Sequence, residues 1–177
     1  MMARAPRYEV PNAAPEPLRL VQEFVNTIDL EHEREWLARW LEQHGVTPSE
    51  ADLARAREVR EALRELLYAN NGHGAEGEPE RTLDEAARVA ELTIDFAARE
   101  LRSRADGLGG ALGHVLAATF TAMADGTFGR LKACRNRGCR WAFYDYSRNR
   151  SARWCSMQLC GNRTKVRAYR RRRVRRD

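Results

Sequence analysis

With 177 residues, 43% of them hydrophobic, the chain is long enough for one compact domain with an attached module and too short for several large ones. Its formal charge of +6 is segregated, because residues 130–177 hold 17 Lys+Arg against 2 acids while the rest of the chain holds 14 against 23. Neither a signal-peptide-like apolar run at Met1–Val10 nor a stretch near the roughly 18 apolar residues of a membrane span is read here, which disfavours a secreted or membrane protein and makes cytoplasmic the expected location.

The first segment, to Pro17, carries Pro6, Pro11, Pro15 and Pro17 and is expected to be extended. From Leu18 the spacing of Leu20, Val21, Phe24, Val25 and Ile28 predicts a helix with one apolar stripe. A second helix places Trp36, Leu37, Trp40 and Leu41 on one face and stops at Gly45. Thr47-Pro48-Ser49-Glu50 has the form of a capping box with proline at the first helical position, and it opens a long helix over 48–69. Residues 70–80, with Asn71-Gly72 and Gly74, read as an exposed loop, and Thr82-Leu83-Asp84-Glu85 as a second capping box starting a short helix to about Glu91. Leu92, Ile94 and Phe96 alternate with polar residues, so a small β-hairpin with Leu101-Arg102-Ser103 is preferred over more helix. Asp106 to Gly110 breaks the chain. A further buried helix then carries Leu112, Val115, Leu116, Thr119, Phe120 and Met123.

The four cysteines of the chain form a C-x4-C-x15-C-x4-C array, Cys134, Cys139, Cys155 and Cys160. Two short loops with two thiolates each suit the tetrahedral demand of one structural Zn²⁺, and a reducing compartment disfavours disulfides as the rival use. Four thiolates leave no open coordination position, so the metal is expected to be structural and not catalytic. Arg135, Arg137, Arg140 and Arg153 are near enough in sequence to offset the charge of a tetrathiolate, and Gly161 is expected to let backbone N–H groups face the sulfurs. Between the pairs, residues 140–147 read as a strand; after Gly161 helical potential returns. This order of loop, hairpin and helix is similar to a treble-clef finger. The fold expected is thus mainly α: a helical domain over 1–129 with a small hairpin, and a four-cysteine zinc finger with a basic helix or tail over 130–177.

Cys134-x4-Cys139, Phe143, Asp145-x-Ser147-x-Asn149-Arg150, Arg153-Trp154-Cys155-Ser156-Met157 and Cys160-Gly161-Asn162-Arg163-x-Lys165 resemble the signature of the CGNR zinc-finger family. Asn26-Thr27-x-Asp29 is similar to the motif that opens the helical ABATE region found in members of that family. The resemblance implies a mostly helical body, a bound zinc and DNA binding, in proteins proposed to be stress-induced transcription regulators.

The basic end supports a polyanionic partner independently, since arginine grips phosphate bidentately and also reaches guanine edges. Arg148, Asn149, Arg150, Arg163, Lys165 and Arg167 are the candidates for reading bases from an ordered surface, while Arg170, Arg171, Arg172 and Arg173 would add affinity without specificity. Trp141, Tyr144, Tyr146, Trp154 and Tyr169 keep single-stranded RNA or DNA as an alternative through stacking, although Trp141, Phe143 and Trp154 are better read as a small core beside the metal. A protein-interaction module with a ligand-sensing or homodimerising body is the other alternative; the Trp36/Trp40 face is its candidate contact, with core packing of those tryptophans preferred. His32, His44, His73 and His114 are dispersed, and Asp29, Glu31, His32 and Glu33 read as an exposed helix junction, so no enzymatic role is expected.

Overall fold

The computed structural model describes residues 13–166. Most of the proline-rich arm, Tyr169, and the candidates Arg167 and Arg170–Arg173 lie outside the described residues.

Helix α1 (Leu18–Val25) buries Leu18, Val21, Phe24 and Val25, the stripe expected of it. It ends sooner than its apolar pattern, because Asn26 and Thr27 turn the chain into β1 (Ile28–Asp29), paired antiparallel with β2 (Arg34–Glu35). Ile28 therefore belongs to a strand. The expected helix junction is this hairpin's turn, wound on the buried Asp29 carboxylate, which accepts from the Glu31 and His32 amides at 3.0 and 3.3 Å and meets the His32 ring at 2.8 Å.

Helix α2 (Leu37–Gln43) is closed by Gly45 in the left-handed region, as its sequence predicts. Trp40 is buried with its ring 4.9 Å from Phe24 and 3.8 Å from His44, so that face serves the core. Helix α3 (Glu50–Ala69) has its capping box two residues later than expected: Ser49 is the cap, its hydroxyl accepts from the Asp52 amide at 3.2 Å, and Asp52 accepts from the Ser49 amide at 2.8 Å. Pro48 precedes the cap. Helix α4 (Pro79–Val89) starts at its proline, which gives up an N–H that the first turn cannot use, so Thr82–Glu85 lies inside the helix.

Strands β3 (Leu92–Asp95) and β4 (Glu100–Ser103) form the expected hairpin, with Leu92 opposite Ser103 and Ile94 opposite Leu101. The following glycines do not break the chain but form the first turns of α5 (Gly107–Ala124). They are needed for close approach, since a Cβ on Gly113 would sit 2.5 Å from that of Ser103, and one on Gly109 2.9 Å from that of Ala105. Phe120 and Met123 face outward, contrary to the buried positions expected of them. With 18 residues, no acid, lysine or arginine and a mean hydropathy of 1.3, α5 has the length and composition of a membrane span, a feature the chain was expected to lack. Here 56% of it is buried, against α1, α4 and β4 among others.

A 3₁₀ turn (Phe128–Arg130) leads into β5 (Leu131–Ala133), which pairs antiparallel with β6 (Ala142–Tyr144). Because side chains alternate along a strand, this hairpin is shared by two cores. Leu131, Ala133, Ala142 and Tyr144 join the body core of Val21, Phe24, Leu63 and Leu67, whereas Trp141, Phe143 and Cys134 join a separate cluster containing the other three cysteines. The described structure is thus mainly helical, with three two-stranded sheets.

Candidate metal centre and basic surface

None of the four cysteines is disulfide-bonded; all are buried and converge so that their Sγ atoms lie within 4.8 Å of one another. Cys139 and Cys155 are 3.6 Å apart at sulfur, and Cys155 and Cys160 3.7 Å. Tetrahedral coordination with Zn–S bonds of about 2.3 Å requires sulfurs about 3.8 Å apart, whereas a disulfide requires about 2.05 Å. The donor set therefore fits one zinc ion. The crowded sulfurs divide: contact with Cys134 is the largest cause pushing the Cys139 and Cys155 thiols up, while hydrogen bonds from neighbouring thiols hold Cys134 and Cys160 down, and a divalent ion is what lets four thiolates share such a volume.

Local turns aim the ligands. In the first knuckle the Cys139 and Arg140 amides donate to the Asn136 carbonyl at 2.8 and 3.0 Å, with Arg140 in the left-handed region. In the second, the Ser156 hydroxyl accepts from the Leu159 amide at 3.3 Å and its carbonyl from the Cys160 and Gly161 amides at 3.0 Å, winding a π-helical turn (Met157–Gly161) that passes into helix at 162–166. Gly161 thus donates to a carbonyl, not to sulfur; its lack of a side chain is explained by space, since a Cβ would press on Met157 and the Trp154 ring. Asn136 Nδ2 instead approaches Cys160 Sγ, at 3.7 Å.

The arginines expected to surround the sulfurs are partly engaged by the body. Arg140 donates to Glu65 at 2.5 Å and lies 4.7 Å above the Tyr68 ring. Arg135 donates to His73 Nε2 at 2.9 Å; burial and the charges of Arg135, Arg137 and Arg140 hold His73 below its ordinary pKa, which suits this neutral acceptor stacked on Tyr68. Arg137 and Arg153 remain exposed.

Side-chain amides of the body close both edges of the finger's hairpin. On the β6 side, Asn26 accepts from the Ala142 amide at 2.8 Å and donates to the Ala142 carbonyl at 2.9 Å, as a third strand would. On the β5 side, Asn70 donates to the Leu131 carbonyl at 2.9 Å and Asn71 to the Ala133 carbonyl at 2.8 Å. Asn71 is therefore buried, although the loop expected over 70–80 was to be exposed. Arg64, 0% exposed, donates to the Val25 carbonyl at 2.6 Å and to that of Arg140 at 3.3 Å. Apart from Asn26, whose motif likeness singles it out without a role, no local pattern in the sequence marks these residues as clamps.

Of the nucleic-acid candidates, Arg148, Asn149 and Arg150 lie together on the exposed loop after β6. Arg163 and Lys165 are exposed on the helical segment after the last cysteine, and Arg163 pairs with Glu31 of the β1–β2 turn. The loop rests on Asp145, which accepts from Lys132 Nζ at 2.7 Å and from the Ser147 and Ala152 amides at 2.9 and 3.0 Å. Burial alone would raise this carboxyl, but the hydrogen bonds from Lys132 and Ser147 and the Lys132 charge hold it below the usual carboxylate range. Trp141 and Tyr144 are buried and Trp154 half-buried, which removes them as freely offered stacking platforms; Tyr146 packs on Tyr144 and donates to the Ala13 carbonyl at 2.7 Å.

Residues 130–173 match the family model of the CGNR zinc finger, and residues 18–127 match that of ABATE, described as "Putative stress-induced transcription regulator". No curated protein gives a significant match.

Proposed function

The chain belongs to the ABATE family and carries a CGNR zinc finger, and from that premise we propose that it is a zinc-stabilised regulator of transcription that binds duplex DNA through its basic C-terminal region. The observation that carries this reading is the exposure of Arg148, Asn149, Arg150, Arg163 and Lys165 around a closed metal core, in a region with 17 Lys+Arg against 2 acids. We read the finger as treble-clef-like, joined to a helical domain that ends near residue 129, with its second ligand pair ahead of the basic helix. Zinc, held by Cys134, Cys139, Cys155 and Cys160, supplies a rigid cross-link; with four sulfur ligands it offers no site for water or substrate, so the proposed role is binding and not catalysis. Burial of Trp141 and Tyr144 favours a duplex over an unpaired strand. A cytoplasmic regulator responding to stress is the setting this reading implies.

Titration of labelled duplex DNA across a salt series tests it. Neutralising about six phosphates gives a slope near roughly −5 in log K against log salt. Removal of residues 170–177 should lower affinity and flatten that slope while sequence preference, measured by selection from a random duplex library, persists. Binding that ignores salt would contradict the electrostatic reading, and enrichment of single-stranded RNA in a parallel selection would replace the partner.

A further inference from the structure

The loop that carries Arg148, Asn149 and Arg150 is fastened from beneath far more thoroughly than an exposed turn requires. Asp145 and Lys132, 1% and 4% exposed, form a buried ion pair at 2.7 Å under it. Burying such a pair is not in itself a strong source of stability, since desolvation offsets much of the attraction. Its hydrogen bonds show what it does instead. Besides the Ser147 and Ala152 amides held by Asp145, Lys132 Nζ donates to the Arg150 carbonyl at 2.6 Å and the Ala152 carbonyl at 3.4 Å. From the other side, Arg130 donates to the carbonyls of Asp145 at 2.9 Å and Ser147 at 3.2 Å. Arg150 takes a left-handed backbone conformation, φ 50°, a strained state in which its carbonyl is gripped by the ammonium. The backbone is bound on the protein side, and the side chains of Arg148, Asn149 and Arg150 face solvent.

We propose that the buried Lys132–Asp145 pair is a positioning device for sequence readout, locking Arg148, Asn149 and Arg150 in one arrangement that meets base edges in a duplex groove. The inference rests on the DNA-binding reading above and deepens it, by separating a reading element from the charge that supplies affinity. Phosphate contacts tolerate mobile side chains, because the attraction is long-ranged and undirected. Base edges do not: a bidentate contact from arginine or asparagine discriminates only when donor and acceptor are held in register.

The test uses the full-length, zinc-loaded protein with two duplex probes, one selected by the wild type from a random library and one with that sequence scrambled. Asp145→Asn should keep one zinc per chain and bind the scrambled duplex within about threefold of wild type, since no phosphate-facing charge is removed. Its preference for the selected duplex should fall about tenfold, the order of one lost base contact. Faster hydrogen exchange at the Ser147 and Ala152 amides should accompany the loss. The surface variant Asn149→Ala, at an exposed side chain, should lower preference similarly with no change in exchange, and if Asp145→Asn fails to hold zinc it still overturns the inference by keeping full preference. Preference unchanged in Asn149→Ala, or in a loosened Asp145→Asn, overturns this inference alone, as does a wild type that binds duplexes without preference. A wild type that binds no duplex at all overturns the DNA-binding reading together with it.

Discussion

Leu63 in the helical body and Cys155 in the finger are both buried, yet they hold their regions together by unlike means. Leu63 sits among aliphatic and aromatic neighbours, and its burial is worth about 1.5–3 kcal/mol, one of many such contributions spread through α1, α2, α3 and α5. Cys155 belongs to a cluster of six buried residues, four of them cysteines, whose large apolar side chains are Trp141 and Phe143, with Trp154 half-buried against them. A core that small cannot outweigh the entropy of ordering two loops, so the finger depends on its metal as the body does not. Between them stands the β5–β6 hairpin, which gives one face to each core and so couples a dispersed source of stability to a concentrated one.

The sharpest way to break this contrast is to remove one ligand. Zinc contributes on the order of 10–16 kcal/mol to the folding of small finger peptides, far more than any single side chain here. Cys155→Ser should release the ion, as metal analysis would register, and expose the amides of residues 145–166 to hydrogen exchange. The amides of α3 and α5 should stay protected, and so should β5 and β6, because their inner face remains packed on the body. Loss of protection throughout α3 would mean that the two cores are one cooperative unit and that the contrast is false.

A milder probe acts on the seam. Asn26→Ala strips the outward amide of Ala142 of its partner, while the carbonyl keeps the weaker bond from Gln22 at 3.2 Å. Leaving one buried N–H unsatisfied costs about 1–3 kcal/mol, to be read from chemical denaturation. Asn26→Asp keeps an acceptor for that amide but sets a carboxylate oxygen against the Ala142 carbonyl in a buried site, so it should cost at least as much as Asn26→Ala. An Asn26→Asp variant as stable as wild type would show that the contact with the carbonyl carries no weight.

That seam also marks where sequence reasoning stops. The C-x4-C spacing, the hairpin at 92–103, the stripe of α1 and the glycine stop of α2 all express local periodicity or chemistry within one element, and each was legible. Asn26 and Ala142 are 116 residues apart, and an amide that closes a distant strand edge leaves no pattern along the chain. The glycines at the head of α5 misled for a related reason. Their local propensity is to break a helix, but the close approach of Ala105 and Ser103 requires them there. Charge was legible only as a total: counting Lys and Arg from residue 130 onward locates the basic end, yet Arg130, Lys132 and Arg140 hold other parts of the chain.

The smallest effect should come from the exposed link between the two regions, the pair of Arg163 with Glu31. Arg163 is close to half exposed and Glu31 about one-fifth, so the attraction works in high dielectric and competes with the entropy of two long side chains. Such pairs contribute up to about 1 kcal/mol, less as salt screens them over roughly 8 Å at physiological ionic strength. Glu31→Gln should therefore lower stability by under about 1 kcal/mol at low salt, and the difference from wild type should vanish near 1 M salt in denaturation curves. A loss that survives high salt would identify Glu31 as a further clamp comparable to Asn26, holding the start of the basic helix on the body. A loss that disappears would leave the asparagines, Arg64, the Arg140–Glu65 pair and the shared hairpin as what keeps finger and body together.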